Sequence, residues 1–170
     1  VLPPDINKSS SGFAVEEVAS ADAAPELAVR YALSAIKNVG AEAMSRLTEI
    51  REVDGAFTSL KDLLQRLPRE VVNRRQMENL VRAGALDTIH SNRRELIENI
   101  DLILSHADAM RREAESNQVS LFGGDYDVID DNIRLCETND WAGMDRLKEE
   151  FDALGLYLSA HPLDSYASQL

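Results

Sequence analysis

Apolar residues return at helical spacing in short runs, and each run ends at a stop residue. This feature narrows the fold more than any other. Val29, Leu33 and Ile36 fall at i, i+4 and i+7, and so do Ala43, Leu47 and Ile50. Between the two runs stands Asn38-Val39-Gly40. Asp54-Gly55 is a turn, and Ser59 with Asp62 forms a capping box. A third stripe, Leu60, Leu63, Leu64 and Leu67, ends at Pro68. Asn73 and Gln76 cap a fourth helix carrying Met77, Leu80 and Val81, with Gly84 at its left-handed stop. Ser91 caps a longer fifth helix with Leu96, Ile100, Ile103, Ala107, Met110 and Ala114 on one face. A sixth begins near Asp140, with Met144, Leu147, Phe151 and Leu154 in register and Gly155 as its stop. The expected fold class is all-α.

Hydrophobic residues make up 44% of the 170, enough for a core, while aromatics at 5% argue for aliphatic helix packing. No apolar run approaches the ~18–20 residues of a membrane span. One cysteine, Cys136, makes no internal disulfide, so a reducing cytoplasm is the expected setting. The first residue is Val1, without an initiator methionine, and the expectation is a piece of something longer.

The net charge of −12 taken whole argues against a polyanionic partner. Its distribution changes that. Residues 1–29 carry −4, residues 30–112 carry +2 and residues 113–170 carry −10. Within residues 60–94 eight cations face four acids, and seven of the cations are arginines, whose planar forks suit phosphate.

Residues 29–51 read as helix, three-residue hairpin, helix. Gly40 permits a positive φ, Asn38 tolerates the left-handed region, and Val39 points inward. The helix that follows from Ala41 offers unpaired N–H groups and a positive end to a phosphate oxygen. The pattern resembles the helix-hairpin-helix, a sequence-independent binder of the DNA backbone, with Asn38 where the usual first glycine stands. A second helical pair, residues 59–67 and 73–83, carries Arg66, Arg69, Arg74 and Arg75 about its connection but has no Gly-x-Gly hairpin. Further along, Gln118-Val119-Ser120-Leu121-Phe122 precedes Gly123-Gly124 in an acidic stretch read as a loop outside any helix. It resembles the clamp-binding peptide of bacterial replication proteins.

Five blocks in order resemble the alpha subunits of the bacterial C-family replicative DNA polymerases. They are Leu2-Pro3-Pro4-Asp5-Ile6-Asn7, Tyr31 to Gly40, Ala83-Gly84-Ala85-Leu86-Asp87, Gln118 to Phe122, and Gly155 to Leu163. The resemblance implies an extended exit from the polymerase fingers over 1–28 and a tandem helix-hairpin-helix domain over 29–116. It implies an acidic loop with the clamp peptide over 117–139 and a short helical connector towards an OB-fold domain over 140–170. It implies duplex DNA, the β sliding clamp, the remaining polymerase domains and other replisome subunits as partners, and no membrane. The implied DNA contacts are Lys37, Asn38, Val39, Gly40 and Ala41, supported by Arg66, Arg69, Arg74 and Arg75. The implied clamp contacts are Gln118, Val119, Ser120, Leu121 and Phe122.

The parent enzyme of this resemblance joins deoxynucleotides with Mg2+ held by palm-domain aspartates. Those residues would lie outside this chain, so neither catalytic residues nor a cofactor are expected here. Asp125, Asp127, Asp130 and Asp131 lack an EF-hand spacing, and His90, His106, His161 and Cys136 lack metal-ligand spacing, so no metal site is expected. Two other readings stand beside this one: the same region of the error-prone polymerase paralogue, and a structural helical linker that does not touch DNA.

Overall fold

The computed structural model describes residues 1–19, 25–71, 73–119 and 133–162, and for residues 117–119 it describes the backbone alone. In chain order the elements are β1 (Ala14–Val18), β2 (Glu26–Arg30), a 3-10 turn (Leu33–Ala35), α1 (Ala41–Asp54), α2 (Leu60–Arg66), α3 (Arg74–Arg82), α4 (Arg93–Glu98), α5 (Ile100–Val119) and α6 (Gly143–Leu154). The fold is mostly helical. The all-α expectation is corrected by one two-stranded antiparallel sheet, with Val15 opposite Val29 and Ala14 opposite Arg30.

The sheet also overturns the helix expected over Val29, Leu33 and Ile36. Long-range pairing decides this segment. Leu2 N–H donates to Val29 O at 2.8 Å and Tyr31 N–H to Leu2 O at 3.0 Å. The Arg30 guanidinium pairs with Glu16 and donates to Pro3 O at 3.0 Å. A β-branched valine suits that strand, and its apolar period is indistinguishable from a helical one over so short a run. Leu33 and Ile36 are still core residues, but they reach it from the 3-10 turn and the bend that follows it.

The head, expected to be extended, contains strand β1 and packs against the helices. Ile6 is fully buried, and its N–H donates to Ala85 O at 2.7 Å. The Asn7 side chain pairs like a strand edge with the Phe57 backbone, donating to its O at 2.8 Å and accepting from its N at 2.7 Å. Arg51 Nη1 donates to both Ile6 O and Ser9 O. These bonds fasten residues 5–9 across α1.

Local signals place the middle helices well. Ser59 Oγ accepts from Asp62 N at 3.1 Å, and Asn73 Oδ1 from Gln76 N at 2.9 Å. Gly55, Gly84 and Gly155 all take positive φ beyond their helices. The expected fifth helix divides. Asn92, not Ser91, caps α4, accepting from Glu95 N at 3.0 Å. The break falls at Asn99, whose side chain bonds both the N and O of Cys136. Residues 133–139, the end of the expected acidic loop, therefore lie against α4 and α5, with Ile133 and Leu135 half-buried. The stripe of α6 is also rotated from expectation. Leu147, Ala153 and Leu154 are buried, while Met144 and Phe151 are exposed. One core, centred on Leu47, Leu63, Leu64, Leu86, Leu96 and Ile103, unites head, helices and α6.

Candidate nucleic-acid interface

Asn38 carries the turn, with a φ of 60°, the one positive φ of a non-glycine among the described residues. Gly40 sits at φ −75° and ψ 135°, so its expected positive φ is corrected: it is the extended cap of α1. Val39 is buried, as its apolar side chain requires. Before the turn stands the 3-10 segment, so the hairpin joins a single turn, not a full helix, to α1.

The first helical bond of α1 runs from Met44 N to Gly40 O at 3.1 Å, and no side chain caps this end. The N–H groups of Ala41, Glu42 and Ala43 therefore have no helical acceptor. Lys37 is exposed beside them, and its ammonium pairs with no described residue. Its backbone N–H donates to Ala153 O at 3.0 Å, and Tyr31 Oη donates to Leu154 O at 3.2 Å. The C-terminal end of α6 thus holds the hairpin from behind. Burial pushes the Tyr31 phenol above its ordinary range, which keeps it a neutral donor.

A groove of about 790 Å³ opens where α1 begins, lined by Gly40, Ala43, Arg46, Pro68, Val71 and Gln76 among others. Gln76 is 8% exposed, and its Oε1 has no hydrogen-bond partner. A Cβ on Gly40 would sit 3.4 Å from Gln76 Nε2. The buried amide of α3 thus lies against the first hairpin. Sequence reasoning finds Gln76 only as a capping residue, because its nearness to Gly40 is created by packing two separate helical pairs. Glu42, Glu49 and Glu70 also line the groove, so it is not uniformly basic.

The arginines differ in how free they are. Arg66 is turned inward: its guanidinium donates to Ile50 O, Gly55 O, Ala56 O and Asp62 Oδ2, and it lies 4.4 Å over the Phe57 ring. It braces the end of α1 to α2 and is the least outward-facing of the four arginines expected among the phosphate contacts. Arg69 is 77% exposed, with Asp108 3.7 Å away. Arg74 is half exposed between Glu78, at 2.9 Å, and Asp101. Arg75 is exposed without an ion pair to a described residue, and shares a polar cleft with Asn38, Arg82, Glu149 and Asp152.

Arg93, absent from the expected contacts, is a buried cation. It grips Asp87 with two bonds of 2.9 and 2.7 Å and lies 3.5 Å from Glu150. Burial pulls this guanidinium towards neutrality, and the two carboxylates more than offset that. Glu150, 2% exposed, accepts from Leu158 N at 2.7 Å and Ser159 N at 2.9 Å. Arg146 reaches Asp87 at 3.0 Å and also pairs with Asp140. This network seats α6 behind the hairpin.

Of the clamp pentapeptide, Gln118 and Val119 are the last residues of α5, which corrects their expected place in a loop. Ser120, Leu121 and Phe122 lie outside the described residues. Among the described residues no group of three or more His, Cys, Asp or Glu side chains is placed to hold a metal. No described helix is long and apolar enough to cross a membrane.

A hairpin fixed on a helical core, with a bare helix N-terminus and a second helical pair packed beside it, is the arrangement of a helix-hairpin-helix module. The family model described as helix-hairpin-helix motif matches residues 1–96, and the chain belongs to that family. Curated relatives add the larger context. The chain is 38% identical over its full length to DNA polymerase III subunit alpha of Caulobacter vibrioides, spanning 14% of that protein. It is 40% identical over 99% of its length to DNA polymerase III subunit alpha of Neisseria meningitidis serogroup A, again 14% of the relative. To that of Thermus aquaticus it is 39% identical over 98% of its length and 12% of the relative. The chain thus corresponds to a small segment of these proteins.

Proposed function

We propose that this chain is the part of a bacterial replicative polymerase alpha subunit that holds duplex DNA by its backbone and tethers the enzyme to the β sliding clamp. The observation that carries the DNA reading is the bare N-terminus of α1 behind the Lys37-Asn38-Val39-Gly40-Ala41 hairpin, which is exposed at every residue but the inward Val39. Backbone N–H donors and a positive helix end accept a phosphate without reading a base. Gly40 has no side chain to keep the strand away, Gln76 offers a polar group beside it, and Arg69, Arg74 and Arg75 supply further cations. The clamp reading rests on the order of residues Gln118, Val119, Ser120, Leu121 and Phe122. The glutamine would hydrogen-bond in a polar subsite while Leu121 and Phe122 enter an apolar pocket. Burying those two side chains contributes roughly 3–6 kcal/mol gross. Ordering the peptide consumes much of that, so the tether works through its combination with DNA contact. The parent's activity on this reading is DNA-directed DNA synthesis, with the metal-binding aspartates outside this chain.

A second reading, a helical brace that does not touch DNA, is favoured by the inward turn of Arg66 and the acids around the α1 groove. Separate titrations with duplex DNA and with purified clamp decide between them. Duplex binding is expected to be weak and to fall steeply as salt rises. Gly40→Trp is expected to abolish it in a folded protein, because φ −75° accepts any side chain. Binding that survives this change removes the hairpin from the interface. Leu121→Ala with Phe122→Ala is expected to abolish clamp binding with helicity intact, and retained binding rejects the peptide as the tether.

A further inference from the structure

The small sheet presents a bare apolar face and a backbone edge that is only half used. Its pleat sends alternate side chains to opposite sides. Ala14, Glu16, Ala28 and Arg30 turn inward, where Arg30 pairs with Glu16. Phe13, Val15, Leu27 and Val29 turn outward and are all exposed, Val15 at 65% and Leu27 at 68%. Val15 stands directly opposite Val29, and the Phe13 ring meets that of Tyr31 edge-on. Apolar side chains exposed one by one are ordinary, but four large ones joined across a sheet mark an interaction surface. A two-stranded sheet also gains much of its stability from whatever packs on it.

Leu2 shows how the edge is used. Its N–H donates to Val29 O and its carbonyl accepts from Tyr31 N–H, which makes a parallel bridge at Arg30. In a strand the N–H and C=O of one residue point to the same side, so Val29 and Leu27 direct both groups away from β1. Among the described residues neither Val29 N–H nor either group of Leu27 has a backbone partner. Val1 alternates with Leu2 and falls on the outward side, 75% exposed, in line with Val29 and Val15. A third strand thus begins at Leu2, and its register along β2 is already set.

Charge and symmetry narrow the choice of partner. The outward face carries no cation among the described residues of the two strands, and its one charged residue is Glu17, so nucleic acid does not suit it. A second copy related by a two-fold axis would pair β2 with β2 antiparallel, whereas Leu2 already fills one end of that edge in the parallel sense. The chain spans only 12–14% of the alpha subunits it matches, so most of such a protein lies outside it.

We propose that the stretch of the alpha subunit leading into Val1 adds a third, parallel strand to β2, and that the domain it comes from closes over Phe13, Val15, Leu27 and Val29. This inference rests on the reading of the chain as part of an alpha subunit, and not on its contact with DNA or clamp. Main-chain pairing along the edge and apolar burial on the face act together, as in other strand additions. The consequence is geometric. β2 runs into Tyr31 and the hairpin, so a covered sheet fixes the hairpin on the domain before it.

The test uses the intact alpha subunit that contains this sequence. Hydrogen exchange is read residue by residue by mass spectrometry with electron-transfer fragmentation. The Leu27 and Val29 amides are expected to exchange as slowly as those of Ala28 and Arg30, which face β1. If Leu27 and Val29 exchange about tenfold faster or more than these neighbours, the edge is bare and the proposal is overturned. The face is tested by Val15→Thr with Leu27→Thr, because threonine suits a bare strand but not an apolar interface. This pair is expected to lower the first melting transition of the intact subunit by several degrees. Val53→Thr, at an exposed position on α1, is the control and is expected to leave it unchanged. Melting unaltered by the strand pair overturns the covered face. An intact subunit that sediments as a dimer, and that the strand pair returns to a monomer, assigns the face to a second copy and also overturns the proposal. Failure of the intact protein to extend a primed template overturns the alpha-subunit reading instead, and that result is separate from the exchange and melting measurements.

Discussion

At the scale of the residue, two positions in left-handed backbone show how much a single side chain decides. Asn38 holds φ 60° at the hairpin. An asparagine adopts this region more readily than other residues with a Cβ, and a glycine more readily still. Asn38→Gly is expected to leave unfolding free energy within a few tenths of a kcal/mol in urea titration. Asn38→Val is expected to cost about 1–2 kcal/mol. Gly84 stands at φ 80°, and an added Cβ would meet Arg93 Nη2 at 2.1 Å. Gly84→Ala therefore combines backbone strain with displacement of the buried guanidinium. A loss of more than about 1 kcal/mol in a thermal melt is expected. The left-handed stop at Gly84 is legible in the sequence, because the apolar run ends there. Its second duty, room for Arg93, is not, because Arg93 arrives from the next helix.

At the scale of the element, the short helices form where the chain supplies its own caps. α2 has seven residues, too few to persist alone, and it begins with Ser59 capped onto Asp62 N. Burial pushes the Asp62 carboxyl up, but Thr58 N–H, at 2.9 Å, and Arg66 outweigh that and hold it below the ordinary range. A lowered carboxyl stabilises the fold above its unfolded value, near 4, and that contribution disappears as pH falls through the folded value. The stability gap between the parent and Asp62→Asn is therefore expected to be full at pH 7 and to close below about pH 4, as read by urea unfolding over pH. Such caps are local, so they can be read from sequence. The strand β2 cannot. Its identity depends on Ala14–Val18 and on Leu2, far enough away that the apolar spacing of Val29, Leu33 and Ile36 is silent about them. α5 outruns its expected end for a related reason: residues 112–116 are already exposed, and an apolar period cannot mark where such a helix stops.

At the scale of the whole molecule, α6 and the packed head convert a set of small helices into one body that fixes the hairpin. Glu150 joins Arg93 to the backbone of Leu158 and Ser159. Glu150→Ala is expected to cost about 3 kcal/mol, the lower end for breaking a buried ion pair, because Asp87 still faces Arg93. Urea unfolding gives the cost, and faster amide exchange at residues 158 and 159 shows where it falls. The charge tally acquires a spatial meaning at this scale. Glu149 and Asp152 of the acidic C-terminal third stand in the same cleft as Asn38 and Arg75, so they temper the hairpin instead of lying apart from it. By itself the sequence determined the helices with local caps, their left-handed stops, the inward Val39 and the turn at Asn38. Each of these depends on neighbours within a few residues, and such interactions are written in spacing and side-chain type. Tertiary structure alone decided the sheet, the inward Arg66, the buried Arg93–Glu150 pair, and Gln76 beside Gly40. Most of those join segments beyond the reach of a helical turn, from Arg66 and Ile50, 16 residues apart, to Arg93 and Glu150, 57 apart, and no local period records them.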